Sequence, residues 1–142
     1  RAGANSHKCQ KKVLIVDDEA LNRFVLAAIF DNQGIEYDEA HNGPEAIEMI
    51  LGRASAFSCH CRSYGLIIMD YEMPEWNGPE CCRRIKKLVE NRVIEEQTII
   101  GHTAYSSEED ICNFKASGVL DVLPKPVNQA QVSEILVKWT CI

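Results

Sequence analysis

The sequence predicts a doubly wound α/β fold, a parallel sheet covered by helices on both faces. Three observations carry that prediction. The runs VLIV and GLIIM have no polar break, as expected of strands buried on both sides rather than one. Between such runs lie segments whose apolar residues recur at helical spacing. Strand and helix patterns alternate five times, and parallel neighbours need crossover connections, which are right-handed.

Residues 1–11 (RAGANSHKCQK) are polar and lack a period, so they read as a tail or linker ahead of a domain spanning residues 12–142. From Lys12 the apolar run VLIV gives the first strand. Leu21, Phe24, Val25, Ala28 and Ile29 then recur at helical spacing, and Gly34 stands where a helix C-cap belongs. Residues 36–40 form a second strand. Residues 43–51 form a helix with Pro44 in its first turn and Ala46, Ile47, Ile50 and Leu51 on one side. The stretch 52–64 (GRASAFSCHCRSY) exceeds the usual connection length and is expected to be an extended surface loop. Residues 65–69 give the third strand, and residues 79–89 a helix with Cys82, Ile85, Leu88 and Val89 inward. A fourth strand begins at residues 98–100. Ser106 followed by Glu109 has capping-box spacing for a fourth helix that Gly118 closes. A fifth strand at about 119–123 and a helix over 129–139, with Val132, Ile135, Leu136 and Trp139 on its buried stripe, complete the chain.

Composition narrows the function classes. The 142 residues suit one domain with one core, at 46% hydrophobic and 25% charged. No apolar run approaches the ~20 residues of a membrane span. A net charge of -6 argues against bulk attraction to nucleic acid. Seven cysteines cannot all pair within one chain, and with no secretory signal in view reduced thiols in the cytoplasm are expected. The start at Arg1 points to processing or, more readily, to excision from something longer, such as the cytoplasmic part of a membrane-associated sensor.

In open parallel sheets ligands bind outside the carboxyl ends of the strands. Here the first strand ends in Asp17-Asp18, the third in Asp70 and the fourth in Thr103, and the fifth runs into Lys125-Pro126. Singly, each has a plain explanation as helix cap, turn or solvated loop start. Together they place three acids, a hydroxyl and an amine on one edge of one sheet. Converging carboxylates repel, and a divalent cation such as Mg²⁺, which prefers oxygen ligands, relieves them. A carboxylate beside such a cation can attack phosphorus, with a lysine neutralising charge and the Thr103 hydroxyl donating a hydrogen bond.

The segments VLIVDDEALNRFVL, LIIMDYEMPEWNG, IIGHTAY and VLPKPV resemble the signature regions of receiver domains of two-component systems, in register from about Lys12 to Trp139. The resemblance implies a flavodoxin-like sheet of order 2-1-3-4-5. It implies that Asp70 is phosphorylated, that Asp17, Asp18, Asp70 and the carbonyl of Glu72 hold Mg²⁺ or Mn²⁺, and that Thr103 and Lys125 contact the phosphoryl group. It also implies a cis Lys125-Pro126 bond and a turn glycine at Gly78. The donor would be a phosphohistidine on a histidine kinase or phosphotransfer protein, docking at Leu21, Asn22, Phe24 and Pro126. The domain would then be a signalling element that catalyses only its own phosphorylation and dephosphorylation. The DDE-x-x-N-R pattern from Asp17 to Arg23 resembles receivers of hybrid histidine kinases and phosphorelays. Core packing is the competing reading for Leu21 and Phe24.

Val122 departs from the family, which commonly places an aromatic there. Glu72 and Tyr105 sit where the family tunes phosphoryl lifetime. Cys59-His60-Cys61 lacks the second pair of ligands a structural zinc site needs, with His7 and Cys9 the only recruits. Cys81 or Cys82 is expected in the core, His102 as a structural histidine rather than a base, and Trp76 as a fluorescence reporter beside Asp70. Two other functions compete: a degenerate receiver serving as an unphosphorylated docking module, and a phosphatase of the haloacid dehalogenase type. The latter would need its nucleophile in a D-x-D pattern after the first strand. A flavin-binding protein of the same fold is disfavoured by three acids facing a phosphate.

Overall fold

Four consecutive apolar residues make β1 (Val13–Val16), and in the computed structural model all four are buried. The structure describes residues 11–56, 62–104 and 107–142. After β1 come α1 (Ala20–Asn32), β2 (Tyr37–Ala40), α2 (Gly43–Ala56), β3 (Leu66–Asp70), α3 (Gly78–Glu90), β4 (Ile99–Thr103), α4 (Glu108–Ala116), β5 (Asp121–Pro124) and α5 (Gln129–Trp139). The sheet is parallel in the order β2-β1-β3-β4-β5, as expected of a doubly wound flavodoxin-like fold.

Because strand side chains alternate between faces, the central strands feed two cores. Leu14, Val16, Ile67 and Met69 face one, with Ala46 and Ile50 of α2, Cys81, Cys82 and Ile85 of α3 and Phe114 of α4. Val13, Ile15, Leu66, Ile68 and Ile100 face the other, closed by Leu26, Ile29 and Phe30 of α1 and Val132, Ile135 and Leu136 of α5. Each fully buried aliphatic side chain contributes about 1.5–3 kcal/mol. That apolar middle fixes the strands, and so fixes where their ends lie.

Three expectations need correction. The inward face of α1 is Arg23, Leu26, Ala27, Ile29 and Phe30. Leu21 and Phe24 are 72% and 70% exposed, and Val25 and Ala28 also lie outward, so core packing does not explain the first two. Arg23 tolerates burial because its guanidinium donates to the Asp17 carbonyl at 2.8 Å and to Glu39 Oε1 at 3.0 Å, which satisfies the charge. The helix α2 continues to Ala56, so residues 52–56 are not loop. Ala54 packs on the core and the Arg53 guanidinium lies 5.0 Å from the Tyr64 ring centroid, contacts that outweigh the helix cost of Gly52. The N-cap of α4 is Ser107, whose hydroxyl accepts from the Asp110 N–H at 3.1 Å. Ser106, Tyr105, Cys59-His60-Cys61 and residues 1–10 lie outside the described residues.

Other local signals hold. Gly34 and Gly118 adopt φ of +69° and +121° after α1 and α4, as helix-terminating glycines do. Cys81 and Cys82 are both buried, and burial pushes both thiols up to about 12. Together with Cys112 and Cys141 they are free thiols.

Candidate functional site

The register of the sheet brings the strand ends into line. Val16 pairs with Ala40 and Met69, so Asp17 and Asp70 leave neighbouring strands at the same level. Asp70 pairs with His102, and Thr103 follows one residue further along β4. The Lys125 N–H donates to the Thr103 carbonyl at 3.0 Å, carrying the pairing just past β5, and Lys125-Pro126 is cis.

Asp17, Asp18 and Asp70 each offer a carboxylate oxygen within 4.8 Å of the others. Asp17 and Asp70 are 1% and 3% exposed, whereas Asp18 is open to solvent. The Lys125 ammonium reaches between the buried pair, 2.6 Å from Asp70 Oδ1 and 3.1 Å from Asp17 Oδ2. Asp17 is held further by the Glu19 N–H at 2.9 Å and, at a longer 3.4 Å, by the Asn22 amide. Its buried Oδ2 has no hydrogen bond among the described residues beyond that ion-pair contact with Lys125. Thr103 is buried at the end of β4. Glu72 lies exposed in the loop after β3.

Charge is not balanced here. Burial raises the Asp70 carboxyl to about 7, Lys125 opposes the rise, and the charges of Asp17 and Asp18 add to it. Burial alone would lower Lys125, but its hydrogen bond to Asp70 and the charges of Asp70 and Asp17 prevail and raise it. His102 is pushed down to about 4 by burial and then by the Lys125 charge, and neither ring nitrogen has a hydrogen-bond partner among the described residues. It is buried and neutral at neutral pH. Two buried acids share one lysine, with a third acid adjacent. An all-oxygen donor set with excess negative charge suits a hard divalent cation.

The neighbourhood is shaped to keep Asp70 in place. A Cβ at Gly78 would collide with the Asp70 carbonyl oxygen, so only glycine lets α3 start there. Trp76 is half-buried in the same loop, with the Arg84 guanidinium 4.0 Å from its ring centroid.

The structure therefore brings together Asp17, Asp18, Asp70 and Lys125, with Thr103 at the next strand end. Sequence reasoning missed Arg23 and Asn22 as supports of Asp17. Their signal was present in the DDE-x-x-N-R run, where a charged residue interrupts a helix face. It also missed Tyr71 as a contact to α4, for which no local pattern exists.

The profile of the response regulator receiver domain matches residues 13–137. The chain is 31% identical over 136 residues to hybrid signal transduction histidine kinase B of Dictyostelium discoideum, which covers 90% of this chain and 6% of that protein. It is 29% identical over 126 residues to two-component response regulator 24 of Arabidopsis thaliana, covering 88% of this chain and 81% of that one. Among solved structures, the receiver domain of Saccharomyces cerevisiae Ssk1, crystallised with the histidine phosphotransfer protein Ypd1, superposes with a TM-score of 0.80 at 27% identity, over 93% of this chain and 90% of that one.

Proposed function

Because the chain belongs to the response regulator receiver domain family, we propose that it is a phosphorylation switch in a phosphorelay, with Asp70 as the acceptor of a phosphoryl group from a phosphohistidine. The observation that carries this reading is the pairing of Lys125 with two buried acids beside a third at the carboxyl edge of the sheet.

An Asp70 oxygen forms the new P–O bond as the P–N bond of the phosphohistidine breaks, and the electron pair goes to the imidazole nitrogen. For that the carboxylate must be ionised, yet its surroundings favour the proton. Asp17, Asp18, Asp70 and the carbonyl of Glu72 would hold Mg²⁺ or Mn²⁺. When bound, the cation neutralises the clustered carboxylates and the phosphoryl oxygens. Lys125, already bonded to Asp70, is the cation at hand for a group attached there. In this reading the Thr103 hydroxyl, at the end of β4, donates to a phosphoryl oxygen.

The partner in this reading is a histidine kinase or a histidine phosphotransfer protein, as for the receiver crystallised with Ypd1. Leu21, Phe24 and Val25 are exposed on the first turns of α1, directly after Asp17 and Asp18, and Pro126 is exposed after β5. An exposed apolar group of that kind next to the acceptor suits a docking partner's apolar helix face. The setting in this reading is cytoplasmic, as one module of a hybrid kinase, the kind of protein to which the chain is 31% identical. No helix among the described residues is long and apolar enough to cross a membrane.

The test is incubation with Mg²⁺ and acetyl phosphate. One base-labile phosphoryl group should be gained, seen by mass, and Asp70→Asn should gain none. A wild-type chain that takes up neither phosphoryl nor beryllofluoride with Mg²⁺ present overturns the assignment and leaves a docking module.

A further inference from the structure

At the amino-terminal end of β4, opposite the clustered acids, α3 and the end of α4 leave a cleft of about 190 Å³ between them. Ile85 and Val89 of α3 and Ile99 of β4 give it an apolar lining. Ile85 and Ile99 are buried and Val89 is half-buried, so the lining runs from the core out to the surface. At roughly 3.3 Å per residue, Ile99 stands about 13 Å along the strand from Thr103 at the acid end.

Gln97 also lines this cleft and is only 7% exposed. Its amide is oriented by Nε2, which donates to the Glu95 carbonyl at 2.6 Å; turned over, it would set two oxygens against each other. Oε1 is thereby fixed as an acceptor, and it has no hydrogen-bond partner among the described residues. A buried amide oxygen that has left water without a replacement is destabilising, and a donor brought to it offsets that cost. The rim adds a sign. Glu90 and Glu96 are exposed there against one ammonium, that of Lys86. An excess carboxylate beside an apolar cleft favours a cation over an anion. These three side chains are long and exposed and change rotamer in picoseconds to nanoseconds, so the mouth widens readily for an entering group.

We propose that this cleft binds a small apolar amine, its ring among Ile85, Val89 and Ile99 and its ammonium shared by the Gln97 amide oxygen and the carboxylates of Glu90 and Glu96. The size fits. A cavity of about 150 Å³ holds benzene, and the remaining volume takes a short aminoalkyl arm. Because the cleft lies at the other end of β4 from the acids, the site does not depend on the phospho-acceptor reading.

The test is titration of the full chain with phenethylamine, followed by the methyl signals of Ile85, Val89 and Ile99 and the side-chain amide of Gln97. These should shift together and saturate with half-effect at about 1 mM, a range open to a ligand of about nine non-hydrogen atoms. 2-Phenylethanol, of the same shape without the charge, should bind several-fold more weakly. Ionised phenylacetate, which has no donor, should leave the signals in place. Gln97→Met keeps the length and removes the acceptor, and should weaken amine binding about tenfold. Glu90→Gln combined with Glu96→Gln should remove the preference for amine over alcohol. If Gln97→Met does not fold, Val89→Trp takes its place, filling the cleft from the mouth and abolishing the saturable shift. Shifts that never saturate, or that appear first at Asp17, Asp18 and Asp70, overturn the proposal. So does amine binding that Gln97→Met or Val89→Trp leaves unchanged, or that phenylacetate matches.

Discussion

In the middle of the sheet Ile67, Ile68 and Met69 are buried among apolar neighbours, and one residue further along the same strand Asp70 is buried to the same degree with a carboxyl group. β1 makes the same change from Val16 to Asp17, and β4 from Ile100, with no polar side chain, to His102 and Thr103. The two regions share backbone, register and burial, and differ only in what is buried. The middle gains from desolvation. The edge is destabilised by it, as the raised Asp70 and lowered His102 show, and Lys125 offsets part of the cost by lying between the two acids. The apolar middle fixes the strands and so holds the edge in place, and the edge breaks the burial rule that the middle obeys, as sites in proteins often do.

The harshest way to break that arrangement is to hollow out the middle. Phe114→Ala should cost about 3–5 kcal/mol, measured by urea unfolding, because a fully buried ring between Gly101 and Tyr71 is lost. The edge should instead respond to pH, with two opposing signs. His102 titrates at about 4 folded against 6.5 ordinarily, so the unfolded chain binds the extra proton. Its contribution is whole above pH 6.5 and lost as pH falls through 4, a difference of about 3 kcal/mol at most. Asp70 titrates at about 7 folded against 3.8 ordinarily, so the folded chain holds the extra proton. Its contribution is whole below pH 3.8 and lost as pH rises through 7. The two slopes oppose each other between pH 4 and 6.5. Relative to wild type, His102→Leu should gain stability as the pH is lowered across that window. Asp70→Asn without metal should gain as it is raised, by about 2 kcal/mol at pH 8, less than the whole shift because Lys125 loses a charged partner. Chemical unfolding of both variants at pH 4.5, 6 and 8 checks the pair, and parallel curves would mean that the edge is not strained as described.

A smaller effect sharpens the boundary between the regions. Gly101→Ala should cost about 1–2 kcal/mol by forcing Phe114 aside, and should weaken the Tyr71 contact at the same time. Smallest on stability is Phe24→Ala, within ~0.5 kcal/mol since the side chain is exposed. Its affinity for a histidine phosphotransfer protein, followed by calorimetry, should nonetheless fall about tenfold if the ring is a docking anchor.

Legibility followed the physics of each signal. VLIV and LIIM could be read as strands because complete burial leaves an unbroken apolar run. Asp17, Asp18, Asp70, Thr103 and Lys125 could be read as one site because a doubly wound sheet assigns strand ends to the ligand. The inward face of α1 is not legible: helical spacing is satisfied both by Leu21, Phe24, Val25 and by Leu26, Ile29, Phe30, and Arg23 makes the buried face look polar. The DDE-x-x-N-R run marks Arg23 as a charge on a helix face, but its partners, the Asp17 carbonyl and Glu39, lie outside the helix and are not specified by it. The last turn of α2 was hidden for the same reason, since Gly52 and Ser55 read as loop until Tyr64 and the core pack on it.

By itself, then, the sequence determined the alternation of strand and helix, the parallel sheet, and which chemical groups stand at its carboxyl edge, since these depend on residue type and order along the chain. Tertiary structure alone decided which side of α1 turns inward, how far burial drives Asp70 and His102 from their ordinary acidities, and that Tyr71 meets α4. Periodicity specifies spacing but not phase, and desolvation and Coulomb interaction depend on distances between residues far apart in sequence.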